Sequence, residues 1–184
     1  MFKVLLIFIM LNFSGTAFSS VKEKIISRMQ LIDNLTFNFI QTINSNSETG
    51  VCTIKYPKKI FCEYSNSNKK IIVSNGKSLV IKNKNSVGYY IYPLKKTPLE
   101  LLLNKEYLIS KIKILKSREI DKKYINFKIF ENEQEINIFF DKKNLELVGW
   151  QTKDIYQNLS ITFISSTKIN QKIDDKIFIL PINN

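Results

Sequence analysis

The sequence predicts an α+β fold in a single domain, and three observations predict it. From Leu35 onward apolar and polar residues alternate with period two, in short runs separated by turn residues. Two segments break that rhythm with helical signals, one near 20–32 and one near 97–103. No linker, internal repeat or low-complexity stretch divides the remainder.

The first nineteen residues stand apart from that domain. Lys3 follows Met1-Phe2, Val4 to Phe13 is apolar except for Asn12, and small residues crowd Ser14 to Ser20. A charge, a short apolar core and a small-residue end make the layout of a secretory signal, and Ala17-x-Ser19 places the cut after Ser19. The run is shorter than the roughly 20 apolar residues needed to span a bilayer. The expected organisation is a signal peptide over 1–19 and one exported, soluble domain over 20–184, large enough for a real core.

Ser20-x-x-Glu23 reads as a capping box, and Val21, Ile25, Met29 and Ile32 recur at helical spacing behind it. Phe37, Phe39 and Gln41 then alternate with Thr36, Asn38 and Ile40 as a first strand. Further strands are expected at 50–56, 60–65, 71–73, 79–81, 87–92, 111–117, 123–131, 134–141, 145–152 and 157–168. Asn75-Gly76 is the strongest short hairpin signal, and Glu133-Gln134 and Asp141 to Asn144 supply further turns. Thr97-Pro98-Leu99-Glu100 has a cap threonine, proline at the first helical position and glutamate three after the cap. The leucines that follow are not amphipathic, so this second helix must be covered on most sides, either as a plug in the sheet core or as a lid over a cavity.

Composition narrows the function classes. The formal charge of +12 resembles a nucleic-acid signal, but 29 Ile, 26 Lys and 19 Asn point to a broad compositional bias, and export would separate the chain from nucleic acid. The five Lys-Lys pairs, at 58–59, 69–70, 95–96, 122–123 and 142–143, stand at expected turns or strand ends, where they solubilise and guard edges; a basic rim for anionic lipid surfaces is the alternative. The chain has no histidine, which removes Ser-His-Asp and Cys-His catalysis and the commonest metal ligand. Its five glycines form no phosphate loop, and Asp141 and Asp174-Asp175 read as solvated turn carboxylates. Neither an enzyme nor a metal or cofactor site is expected. Cys52 and Cys62 flank the turn at Tyr56-Pro57-Lys58-Lys59; opposed across a hairpin they form a disulfide in an oxidising compartment, whereas a register shift of one residue leaves two separate buried thiols.

The motifs in order resemble one family. Leu35 to Gln41 looks like its first strand with Phe-x-Gln, and Gly50 to Tyr64 like its glycine, Arg-Pro hairpin and aromatic-x-aromatic strand. Lys70 to Leu79 looks like its Asp-Gly or Asn-Gly hairpin, and Thr97-Pro98-Leu99-x-x-Leu102 like its central helix. Leu145 to Trp150, Asp154, Ile161 to Phe163 and Asp174 to Pro181 look like its later strands and terminal Phe-x-x-Pro. The chain is similar in these respects to the periplasmic outer-membrane lipoprotein carriers (LolA-type), over nearly the whole mature length. That resemblance implies an incomplete antiparallel β-barrel, a half-barrel whose concave apolar face is covered by helices. It implies a monomeric periplasmic carrier. Its partners would be acylated lipoproteins, the inner-membrane lipoprotein-releasing ABC transporter complex and an outer-membrane lipoprotein receptor. A lipid binder or envelope regulator on the same half-barrel is the alternative, since fold does not fix function.

The resemblance places Tyr56 where the family has an arginine that contacts the lid, and Pro98, Leu99 and Leu102 in the lid helix. A phenol offers one polar group where a guanidinium offers five donors, so lid closure must be built differently here. Strand alternation alone proposes Phe37, Phe39, Ile54, Phe61, Val73, Leu79, Tyr90 and Trp150 as cavity residues, each of which is equally suited to plain core packing.

Overall fold

The computed structural model describes residues 20–65, 69–83, 88–131, 134–153 and 157–181; the expected signal peptide, Glu133 and Asp154 lie outside the described residues. Helix α1 (Val21–Gln30) leads into β1 (Asn34–Ile43), β2 (Asn46–Lys55), β3 (Lys59–Tyr64), β4 (Lys70–Asn75), β5 (Ser78–Asn83) and β6 (Tyr89–Pro93). A 3-10 turn, Leu94–Lys96, then precedes α2 (Leu99–Leu103) and α3 (Lys105–Ile114). The chain returns through β7 (Arg118–Ile120), β8 (Tyr124–Glu131), β9 (Gln134–Asp141), β10 (Leu147–Lys153) and β11 (Leu159–Ile169), and a second 3-10 turn, Asp175–Phe178, follows.

The eleven strands form one antiparallel sheet in the order β6-β5-β4-β3-β2-β1-β11-β10-β9-β8-β7, with β6 and β7 as its edges. It is therefore an open half-barrel and not a closed one. The first six strands meander to one edge, and the last five return from the other until β11 pairs with β1. The segment from Leu94 to Ser117 must cross between the two edges, so α2 and α3 overlie the sheet by topology. Period-two alternation sends Phe37, Cys52 and Cys62 to one face and Thr36, Thr53 and Phe61 to the other, because cross-strand partners share a face. The first set belongs to the main core, together with Ile25, Leu102, Ile112, Phe127, Ile138 and Trp150, so that face is the concave one under the helices.

Helix α1 starts as expected. The Ser20 hydroxyl accepts from the Glu23 amide (3.2 Å) and the Glu23 carboxylate accepts from the Ser20 amide (2.7 Å), a cap worth about 1 kcal/mol. Its core-facing residues are Ile25 and Ile26, backed by Met29 and Ile32, while Val21 is exposed. Helices α1 and α3 lie side by side and cap each other. Lys22 at the start of α1 donates to the carbonyls of Lys113 (2.8 Å) and Leu115 (3.3 Å), and Lys105 at the start of α3 donates to those of Gln30 (3.3 Å) and Ile32 (2.9 Å). Each ammonium thus satisfies orphan carbonyls at the negative end of the other helix.

Three expectations need correction. The strand expected at 111–117 is the last turn of α3 and the residues after it. Ile112 and Ile114 alternate, but Leu108, Ile109 and Ile112 also lie on one helical stripe, and burial against α1 selects the helix. Thr97 does not cap α2: its hydroxyl donates to the Leu94 carbonyl (2.8 Å), closing the preceding 3-10 turn, and Glu100 pairs with Lys58 at 2.5 Å. In the β4–β5 hairpin the central pair is Gly76-Lys77, not Asn75-Gly76. Gly76 takes φ +96°, and the Asn75 side chain accepts from the amides of Lys77 and Ser78.

Candidate functional site

A cavity of about 430 Å³ lies between the concave face and the helices, a volume within the usual range for small-molecule sites. Its floor is sheet: Leu35, Ile54, Ile60, Ile138, Phe140 and Trp150. Its roof is the end of α1 together with α2 and the start of α3, through Met29, Ile32, Leu99, Leu102, Leu103 and Leu108. Arg28, Leu31, Glu146, Thr167 and Ile169 also border it and are solvent-exposed, so they mark its open side. Leu31 is 72% exposed there, an apolar rim at the entrance.

The lining explains what the cavity can hold. Floor and roof are almost wholly aliphatic and aromatic, so the favourable term for a ligand is burial of hydrocarbon, about 0.8 kcal/mol per methylene. The charged groups at the border already have partners. Arg28 donates to the Asn144 carbonyl, Lys105 caps α1, and Glu146 accepts from the Asn144 side chain (3.0 Å). Among the described residues no group of His, Cys, Asp and Glu is placed to hold a metal ion.

The roof is held by the turn between β2 and β3. The Lys58 amide donates to the Leu103 carbonyl (2.9 Å), and the Lys58 ammonium pairs with Glu100 at 2.5 Å. Tyr56, in the same turn, lines the cavity, and its ring lies 5.7 Å from the Lys105 ammonium. Burial pushes its phenol up to about 12.

The cavity and roof residues proposed from the sequence divide into four groups. Ile54, Tyr56, Leu99, Leu102 and Trp150 line the cavity, with Pro98 just ahead of α2. Phe37, Phe39 and Leu79 share the concave face but are core around it. Phe37 meets Trp150 edge to face at 6.1 Å, and Phe39 meets Tyr64 at 4.8 Å. A Cβ at Gly50 would stand 2.7 Å from the Phe39 ring, so the family-like glycine makes room for it. Phe61 and Val73 are paired on the opposite, convex face. Tyr90 has the concave parity but stands on edge strand β6 and is 68% exposed. Cys52 and Cys62 are directly opposed in register and bonded, with their Cα atoms 4.1 Å apart.

Sequence reasoning misses Lys58 and Glu100 as roof ties, and Lys105 as the tie between α1 and α3. A signal for the last is present: Asn104 precedes Lys105 to Ile114, and its side chain accepts from the Tyr107 amide (3.2 Å) as a helix cap. Gln41 enters the sequence reading only as part of a motif. It accepts from the Tyr64 hydroxyl (2.9 Å) and donates to Ser160 (3.3 Å), joining three strands beyond Phe39. Burial, with Glu48 adding to it, raises the Tyr64 phenol well above its ordinary value.

Residues 30–180 match the family described as outer membrane lipoprotein carrier protein LolA. No curated protein matches the chain. Among solved structures, an uncharacterised conserved protein from Thermus thermophilus aligns with a TM-score of 0.53 at 7% identity, covering 89% of this chain and 96% of that one, a likeness of fold. A LolA superfamily protein from Nitrosomonas europaea aligns with a TM-score of 0.47 at 8% identity, covering 88% and 99%. The MucA/MucB complex of Pseudomonas aeruginosa includes a chain with a TM-score of 0.47 at 7% identity, covering 86% and 60%.

Proposed function

Because the chain belongs to the LolA family of outer membrane lipoprotein carrier proteins, we propose that it carries acylated lipoproteins between membranes by holding their acyl chains in the cavity. The observation that supports this reading is the apolar cavity of about 430 Å³, open on one side and roofed by α1, α2 and α3. An acyl chain of about 15 methylenes exposed to water forgoes on the order of 12 kcal/mol of burial. Such a cargo does not cross an aqueous gap unaided. In this reading the signal-like first nineteen residues direct export, the carrier works in the periplasm, and the inner-membrane ABC release complex acts upstream of it and an outer-membrane receptor downstream.

Loading and release both require the roof to move. The polar ties that hold it are partly exposed, and among the described residues they include Lys58 to Glu100, Lys58 to Leu103, Tyr107 and Lys111 to Glu131 on β8, Arg28 to the Asn144 carbonyl, and the two lysine caps between α1 and α3. Ion pairs within reach of solvent contribute about 0–1 kcal/mol each, and a net hydrogen bond to a carbonyl contributes about 1 kcal/mol. Roof opening is thus opposed mainly by apolar contact, which an entering acyl chain replaces. A carrier performs no chemical step, so the reading needs no catalytic residue and no cofactor.

The test is transfer. Mature protein is added to spheroplasts of the source organism that hold a labelled acylated lipoprotein and ATP. The expected outcome is stoichiometric appearance of the lipoprotein in the supernatant, bound to the added protein, and its loss with Leu102→Glu in the roof. No release by the wild type, while the release complex is active, overturns the carrier reading and leaves other lipid-binding roles.

A further inference from the structure

The cavity contains one polar group that its apolar lining does not explain. Tyr56 lines it, and among the described residues nothing hydrogen-bonds the Tyr56 hydroxyl. No fully buried side-chain polar atom among the described residues lacks a partner. The hydroxyl, being unpartnered, therefore keeps some contact with accessible space, and the cavity is one space that half-buried Tyr56 borders. Water can complete the hydroxyl while the cavity is open, but once hydrocarbon displaces that water the unmade hydrogen bond costs about 1–3 kcal/mol unless the ligand itself supplies an acceptor. Phenylalanine would line the same wall without that cost.

Its chemistry is narrow. A phenol pushed up to about 12 stays neutral at physiological pH, so the hydroxyl offers a donor and not a charge. The nearest cation on the roof, Lys105, donates to the Gln30 and Ile32 carbonyls and lies 3.9 Å from the Asp33 carboxylate, so its charge already has an acidic partner that a carboxylate headgroup would have to displace. The other polar groups at the cavity are either engaged (Arg28, Glu146) or exposed at its mouth (Thr167). What a neutral donor in an apolar cavity completes is a neutral acceptor attached to hydrocarbon.

Resting on the carrier reading, we propose that Tyr56 recognises the carbonyl oxygen of an acyl ester or amide, donating its hydroxyl hydrogen to it and so fixing how deeply the chain is seated. The site then distinguishes acyl groups from plain hydrocarbon of the same length, and it sets the head of the chain beside the β2–β3 turn that ties down the roof.

Methyl laurate carrying a ¹³C carbonyl, tridecane and laurate serve as probes against the mature wild type and Tyr56→Phe, which differs by one oxygen. For the wild type the ester carbonyl band moves to lower frequency on binding, and Tyr56→Phe abolishes that shift. The variant binds methyl laurate roughly five- to tenfold more weakly, the size of one net hydrogen bond, and binds tridecane unchanged. Equal loss for both probes, or an unshifted carbonyl in the wild type, overturns the assignment while leaving the cavity in place. Laurate depending on Tyr56 more strongly than its ester also overturns it, in favour of a carboxylate headgroup. Failure of every probe to bind removes both this assignment and the carrier reading beneath it.

Discussion

On the convex face Val73 and Val80 are 1% and 0% exposed, although strand alternation points them away from the main core. On the concave face Ile54, Ile60 and Ile138 are as apolar and yet border a cavity of about 430 Å³. The difference is what the chain places over each. The 3-10 turn Asp175–Phe178 lies on β3 and β4, with Phe178 3% exposed and Asp175 held at 2.8 Å by Lys55 and 3.6 Å by Lys59. These lysines share the convex face with Phe61 and Val73, so the turn is a plug that converts an outward apolar patch into core. The concave side receives a roof held off the floor. Hydrophobic alternation is the same on both faces, and what separates core from ligand site is whether the chain fills the space.

The largest effect should come from pulling the plug. Phe178→Ala is expected to cost about 3–5 kcal/mol in a urea denaturation series, the usual range for a buried aromatic. Affinity for a fluorescent fatty-acyl probe should not change, because the plug and the cavity lie on opposite faces. A parallel fall in affinity would mean that the faces are coupled and that the distinction drawn between them is wrong. The converse experiment fills the cavity. Leu147 borders it on β10 and is half-buried, and Leu147→Phe should stabilise by about 0.5–2 kcal/mol while lowering acyl-probe affinity at least tenfold. Lower stability with unchanged affinity would place Leu147 in tight packing and the ligand elsewhere.

Much of this is legible in the sequence, and the unread part has a common cause. Period-two runs give the strands and their faces within each strand, as Ile54, Ile60 and Trp150 illustrate. They carry no information on which parity is concave, since Phe61 and Val73 alternate as cleanly as Phe37 and Phe39. Only the register between distant strands and the position of Phe178 settle that. Helix α3 escapes the sequence reading because Ile112 and Ile114 satisfy period two while Leu108, Ile109 and Ile112 satisfy 3.6, and packing against α1 decides between them. The roof ties are invisible for a similar reason. Lys58, Glu100 and Lys105 are ordinary surface types, and their roles arise from residues 42 and 75 positions away. The disulfide sits between the two: the turn brings Cys52 and Cys62 near one another, but only the register Cys52↔Cys62 makes them face.

The smallest effect concerns the bond that holds the plug. Hydrogen bonding from Lys55, with Lys59 beside it, keeps the Asp175 carboxyl below its ordinary value of 3.8. A carboxylate depressed in the folded state stabilises it fully above that ordinary value, and the contribution fades as pH falls through the lower folded one. Comparing the wild type with Asp175→Asn isolates this group from Glu131, Glu135 and Asp141, which are also depressed. The stability gap between the two proteins should be small at neutral pH, shrink with added salt because the pair is exposed, and close in acid. Acyl-probe affinity should track neither change. A gap that persists into strong acid would show that Asp175 holds the turn through its shape and backbone contacts, with Phe178 alone supplying the energy that separates the plugged face from the hollow one.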